Sequence, residues 1–141
     1  MQVLVGRPLK DQSSISPVLS LSISVVCFNS SKDELQTLIG SLLNAIRLVK
    51  DSMNLASIPI YLVDNSEKDN LCLKLFTSLH KDAEELNVQL HLLHGHGNVG
   101  YGAAHNLVIT KVASDYHLLL NPDLNLEKNC LRAGISYLTE N

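Results

Sequence analysis

Apolar positions along the chain follow two rhythms, one with a period near two and one near 3.6. Leu21-Ser-Ile-Ser-Val-Val-Cys-Phe28 alternates and then runs continuously apolar, rich in β-branched residues, which predicts a buried strand ended by Asn29-Ser30-Ser31. Leu35, Leu38, Ile39, Leu42, Leu43, Ile46 and Val49 recur at three- and four-residue steps, so residues 32–51 predict an amphipathic helix with its stripe toward the core. Ser31, with Glu34 three residues on, forms a candidate capping box for that helix. Ile58–Val63 predicts a second strand, with Pro59 near its start, where a missing N–H costs least, and Asp64-Asn65-Ser66 at its end. Residues 69–85 predict a second helix that turns Leu71, Leu75, Leu79 and Leu86 inward. Val88–Leu93 reads as a third strand, residues 101–113 as a third helix, Tyr116–Leu120 as a fourth strand and Leu126–Leu138 as a last helix. Residues 1–20, with Pro8, Pro17 and serines at 13, 14 and 16, carry no such rhythm and predict a weakly structured lead-in.

Strands alternating with helices imply right-handed crossovers and a parallel sheet covered on both faces. The 141 residues suffice for one such α/β domain, over residues 21–141, and not for two. Apolar residues make up 45% and charged residues 18%, with a net charge of -3, an ordinary globular balance that argues against nucleic acid as a partner. Cys27, Cys72 and Cys130 are widely spaced, odd in number and lack a CxxC pair. They fit a reducing compartment and packing as small hydrophobes. No apolar run approaches the ~20 residues of a membrane helix. The opening MQVLVGRPLKDQ puts its charges after a short apolar start, the reverse of a signal peptide, so a cytoplasmic setting is expected.

In a parallel sheet, ligands sit beyond the carboxyl ends of the strands. Those ends carry Cys27-Phe28-Asn29, Asp64-Asn65-Ser66, the turn Gly95-His96-Gly97-Asn98-Val99-Gly100, and Asn121-Pro122-Asp123. All four should converge on one rim. Glycines let a backbone approach a phosphate closely, and a helix start behind them favours negative charge. The pattern predicts a site for a phosphorylated ligand.

The segments SVVCFNS (24–30), IYLVDNSEKD (60–69), GNVGYGAAHN (97–106) and DYHLLLNPDL (115–124) resemble, in order and spacing, the nucleotide-binding half of a family two inverting glycosyltransferase of GT-A fold, rhamnosyltransferase-like. The resemblance covers roughly residues 21–138. It implies a GT-A, Rossmann-like sheet with helices on both faces, truncated before the acceptor half. It further implies that Phe28 and Asn29 help form a base pocket and that Asp64 accepts the ring N–H of uracil or thymine. Asn65 and Ser66 would line the neighbouring surface, and Asn98, Gly100 and Gly102 the nucleotide site. Asn121 and Asp123 stand at the family's DxD motif, with Asp123 as the carboxylate that faces Mg²⁺ or Mn²⁺. The implied donor is a dTDP- or UDP-linked sugar such as dTDP-rhamnose, and the acceptor a saccharide or lipid-linked saccharide. Surface polysaccharide or O-antigen assembly at the cytoplasmic face of a membrane is the implied setting, with peripheral attachment.

The sequence departs from the family pattern in two ways. Asn121 replaces the first acidic residue of DxD, leaving one carboxylate. The general base is expected beyond residue 141, since nothing around Glu127 or Glu140 resembles the catalytic segment. Glu127 is better read as first-turn charge on the last helix. Two other readings compete. Gly95–Gly100 also fits G-x-G-x-x-G, with Asp115 and Asp123 downstream, as in an NAD-dependent enzyme, although that fingerprint normally opens the first strand–helix unit. A non-catalytic nucleotide-binding or interaction module would share the same fold. The histidines at 80, 91, 94, 96, 105 and 117 lack the spacing of a metal site, and only His96 and His105 fall near enough to touch a phosphate.

Overall fold

The computed structural model describes residues 2–6, 17–67 and 71–141. Its strands are β1 (Gln2–Gly6), β2 (Leu21–Cys27), β3 (Ile58–Asp64), β4 (Val88–Leu93) and β5 (Tyr116–Leu120). Its helices are α1 (Lys32–Ser52), α2 (Leu71–Glu85), α3 (Tyr101–Ile109) and α4 (Cys130–Glu140). The strands form one sheet in the order β1-β5-β2-β3-β4. β2 through β5 run parallel, while β1 pairs antiparallel with β5, Gln2 opposite Leu120 and Gly6 opposite Tyr116.

Every residue of β2 is buried, as its apolar run requires of a central parallel strand. Leu21, Ile23, Val25 and Cys27 enter the main core, which they share with the stripe of α1 and with buried residues of α2 and α4. Val26 points the other way, into a smaller cluster with Val63 of β3 and Ala104 and Val108 of α3. The capping box at the start of α1 is present: Ser31 Oγ accepts from Glu34 N at 3.2 Å and Glu34 Oε2 from Ser31 N at 3.3 Å.

Three boundaries differ from the sequence pattern. The stretch read as a lead-in over residues 1–20 contains β1, and Leu4 packs against the main core from it. Pro8 and the serines at 13, 14 and 16 lie outside the described residues, as do the predicted start of the second helix at residue 69 and the Leu71 side chain. α3 stops at Ile109 rather than 113, because its last turn tightens, with Lys111 N donating to Val108 O at 2.8 Å. α4 starts at Cys130 rather than Leu126. Leu126 is buried, but its N–H donates to Ser41 Oγ at 3.0 Å, which fixes the segment as a loop laid on α1.

This connectivity places a topological switch. From β2 the chain steps through α1 to β3 and through α2 to β4, then returns through α3 to β5 on the far side of β2. The strand order therefore reverses beside β2, and the loops after β2 and β5 meet beyond the carboxyl ends of these neighbouring strands.

Candidate functional site

At the end of β2 the chain turns sharply. Phe28 leaves the sheet 52% exposed, and Asn29 takes φ 49, a left-handed conformation that asparagine tolerates better than most residues. Two bonds hold the turn against β3: Asn65 N donates to Cys27 O at 2.8 Å, and Asn29 N donates to Ser66 Oγ at 2.8 Å. Asp64 lies below them, 3% exposed, its Oδ1 accepting from Ser66 N at 2.9 Å in a local turn.

The glycine turn after β4 supplies the next wall. Gly100 has φ +84, while a Cβ there would meet nothing within 4 Å, so the backbone angle rather than crowding asks for glycine. Its N–H donates to Asn98 Oδ1 at 3.1 Å, and its carbonyl accepts from Ala104 N at 3.1 Å as the first bond of α3. Asn65 Nδ2 donates to the same carbonyl at 3.2 Å.

A cleft of about 570 Å³ opens where these turns meet the end of β5. Phe28, Asn29, Asn65, Asn98, Gly100, Asn121 and Asp123, all expected from the sequence, line it together. Two expected residues do not. Asp64 stands behind the lining, and Gly102 lies in the first turn of α3, where a Cβ would meet nothing within 4 Å. Val26, Ser30, Glu34, Tyr101 and Pro122 also line the cleft. Glu34 was visible in the sequence only as a cap, and Tyr101 only as the residue after the glycine turn.

Two features set the chemistry. Among the described residues, the lining carries the carboxylates of Glu34 and Asp123 and no lysine or arginine. Asn121 Oδ1 is buried without a hydrogen-bond partner, an acceptor left open at the end of β5. Among the described residues no three His, Cys, Asp or Glu side chains gather as a metal cluster. Any cation here would draw on Asp123, the Asn121 oxygen and the ligand itself.

The histidines expected to reach a phosphate do not line the cleft. His105 is 3% exposed, with Nδ1 bonded to Ser24 Oγ at 2.7 Å under α3. Ser24 Oγ also meets His117 Nε2 at 2.9 Å, and His117 Nδ1 meets Ser22 Oγ at 2.6 Å, so a buried polar chain runs between α3 and the sheet. Burial, and then the neighbouring His117, pushes His105 down to about 4, and burial lowers His117. His96 instead meets Asn65 Oδ1 at 2.8 Å.

The dinucleotide reading loses its geometry. Gly95–Gly100 follows β4 at the sheet edge, whereas the fingerprint belongs to a strand beside the switch point. Asp115 lies at the opposite end of β5 from the cleft, its Oδ2 accepting from Ser20 N and Ser20 Oγ, each at 2.9 Å.

Comparison with known proteins bears on the family and the fold. The family model described as Glycosyl transferase family 2 matches residues 22–141. The chain belongs to glycosyl transferase family 2. No curated protein sequence matches it. Solved structures similar to this family member include S. aureus TarS 1-349, at 17% identity and TM-score 0.64, covering 86% of this chain and 33% of that one. A structure of S. aureus TarS is similar at 19% identity and TM-score 0.63, covering 86% of this chain and 20% of that one. At such identities the likeness is one of fold, and it bears out the GT-A-like, mostly parallel sheet with helices on both faces. The family two chain thus spans a third or less of the length of these structures. No helix among the described residues is long and apolar enough to cross a membrane.

Proposed function

We propose that this family two domain holds the donor of a glycosyl transfer, a pyrimidine nucleoside-diphosphate sugar such as dTDP-rhamnose or a UDP-sugar. The observation that carries the reading is the cleft at the topological switch, lined at once by an exposed aromatic, Phe28, and by Asn121 and Asp123. Phe28 offers a face against which a pyrimidine can stack. The family resemblance assigns the ring N–H to the Asp64 carboxylate, which stands behind the lining with Oδ1 already accepting from Ser66 N. The Asn98–Gly100 turn brings bare backbone beside the ribose and diphosphate.

The charges of the lining make a divalent cation part of this proposal. A diphosphate entering alone would meet Glu34 and Asp123, with no basic side chain among the described lining residues to offset it. Asp123 and the Asn121 Oδ1, which has no hydrogen-bond partner, are oxygen donors of the kind Mg²⁺ and Mn²⁺ take and would be the residues to hold such an ion. Such an ion stabilises the charge that develops on the departing nucleoside diphosphate. In the complete reaction an acceptor hydroxyl displaces that group with inversion, and the general base is assigned to none of the described residues. A saccharide or lipid-linked acceptor, in surface polysaccharide or O-antigen assembly, is proposed on the family resemblance.

Calorimetric titration of two variants tests the assignment. Asp64→Ala should weaken UDP or dTDP binding roughly ten- to hundred-fold, the usual range for a hydrogen bond to a charged acceptor. Asp123→Ala should abolish the gain that Mn²⁺ gives. Two variants that bind nucleotide like the parent would overturn the assignment.

A further inference from the structure

We propose that His96 is a positioning residue that, through Asn65, fixes the glycine wall of the cleft and the start of α3. Asn65 lines the cleft yet is only 2% exposed, and the protein itself occupies its polar groups. Its N–H donates to Cys27 O, its Nδ2 to Gly100 O, and its Oδ1 faces His96 Nε2 at 2.8 Å. It is a strut between β2, β3 and the glycine turn rather than a hand held out to a ligand.

The donor pattern fixes the histidine. Of the two ends of the Asn65 amide only the NH₂ can donate to the Gly100 carbonyl, so Oδ1 must face His96, and His96 Nε2 must carry the proton. Imidazolium donates from the same atom, so the contact survives protonation. Little else holds the turn. Among the described residues, Gly95–Val99 makes no backbone–backbone hydrogen bond to the sheet or the helices. Gly100 is at once the strut's partner, the residue capped by Asn98 and the acceptor of the first bond in α3. Releasing His96 therefore frees the Asn65 amide to rotate and loosens the turn and the helix start together.

The consequence for ligand binding rests on the donor-site reading, but the strut can be tested without any ligand. In the parent, side-chain ¹⁵N shifts should show His96 as the Nε2–H tautomer at neutral pH, and the Nδ1–H tautomer would overturn the proposal. His96→Ala should speed amide exchange at Ala104 roughly ten-fold, the effect of one lost hydrogen bond, while β2 and β3 amides keep the parent rates. His96→Gln, which donates from its own amide, should return Ala104 to within about three-fold of the parent. The proposal fails if the alanine variant exchanges like the parent, or if the glutamine variant exchanges like the alanine one. If exchange follows the prediction while the parent binds neither UDP nor dTDP, the strut stands and the donor-site reading falls.

Discussion

His105 and His117 form a buried polar pair that the sequence does not announce. The sequence puts His105 in a predicted helix and His117 in a predicted strand, with no role assigned to either, yet they sit neutral between α3 and the sheet, bonded through Ser22 and Ser24. The alternation Leu-Ser-Ile-Ser in β2 was legible as a buried strand. That its serines face a pair of buried imidazoles was not, because the partners lie 81 and 93 residues away. The electrostatics carry a sign. Unfolded histidine titrates near ~6.5, and the folded values lie lower, so the folded chain binds fewer protons. The stability this contributes is present above pH ~6.5 and is lost as pH falls from there toward 4, by about 1.4 kcal/mol per pH unit for each histidine in its window. Urea unfolding between pH 7 and 4.5 should show that loss, and His105→Gln should reduce its slope. Equal slopes in parent and variant would contradict the account.

Among elements, those with a full period were legible and those fixed by single contacts were not. The stripe of α1 and its capping box could be read directly from Leu35 to Val49 and from Ser31 and Glu34. β1 could not, since five residues at a sheet edge leave too short a pattern, and its place depends on β5. The start of α4 was misplaced because Leu126 keeps the apolar rhythm while its N–H is held by Ser41. Two glycines test these elements in opposite directions. In β1, a Cβ on Gly6 would come within 2.9 Å of the Tyr116 ring, which is fully buried and tied to Thr139 Oγ1 at 2.9 Å. Gly6→Ala should therefore cost about 1–3 kcal/mol by overpacking. In α1, Gly40 is exposed and a Cβ there would meet nothing within 4 Å, so Gly40→Ala should stabilise by about 0.5–1 kcal/mol. A Gly6→Ala urea midpoint that does not fall would contradict the assignment of β1 to the fold, and a Gly40→Ala midpoint that falls would contradict the open exposed face of α1.

At the scale of the molecule, the strand order explains why residues spread from Phe28 to Asp123 meet in one cleft. α1 and α2 carry the chain one way from β2, and α3 carries it back across the other face to β5, so the ends of β2 and β5 flank the crevice. The alternation of strands and helices made the α/β class legible, and the polar residues at each strand end marked the rim. The cleft's charge was not legible. It follows from Glu34 of the capping box and Asp123 lining the cleft together, without a lysine or arginine among the described residues, which only the fold decides. The proposed role of the domain, holding a pyrimidine nucleoside diphosphate through a cation, rests on that arrangement. Calorimetry of the parent chain with UDP, dTDP and NAD, each with and without Mn²⁺, tests it most directly. The account predicts binding of UDP or dTDP that strengthens with Mn²⁺ and no binding of NAD; binding of NAD alone, or of no nucleotide under either condition, would contradict it.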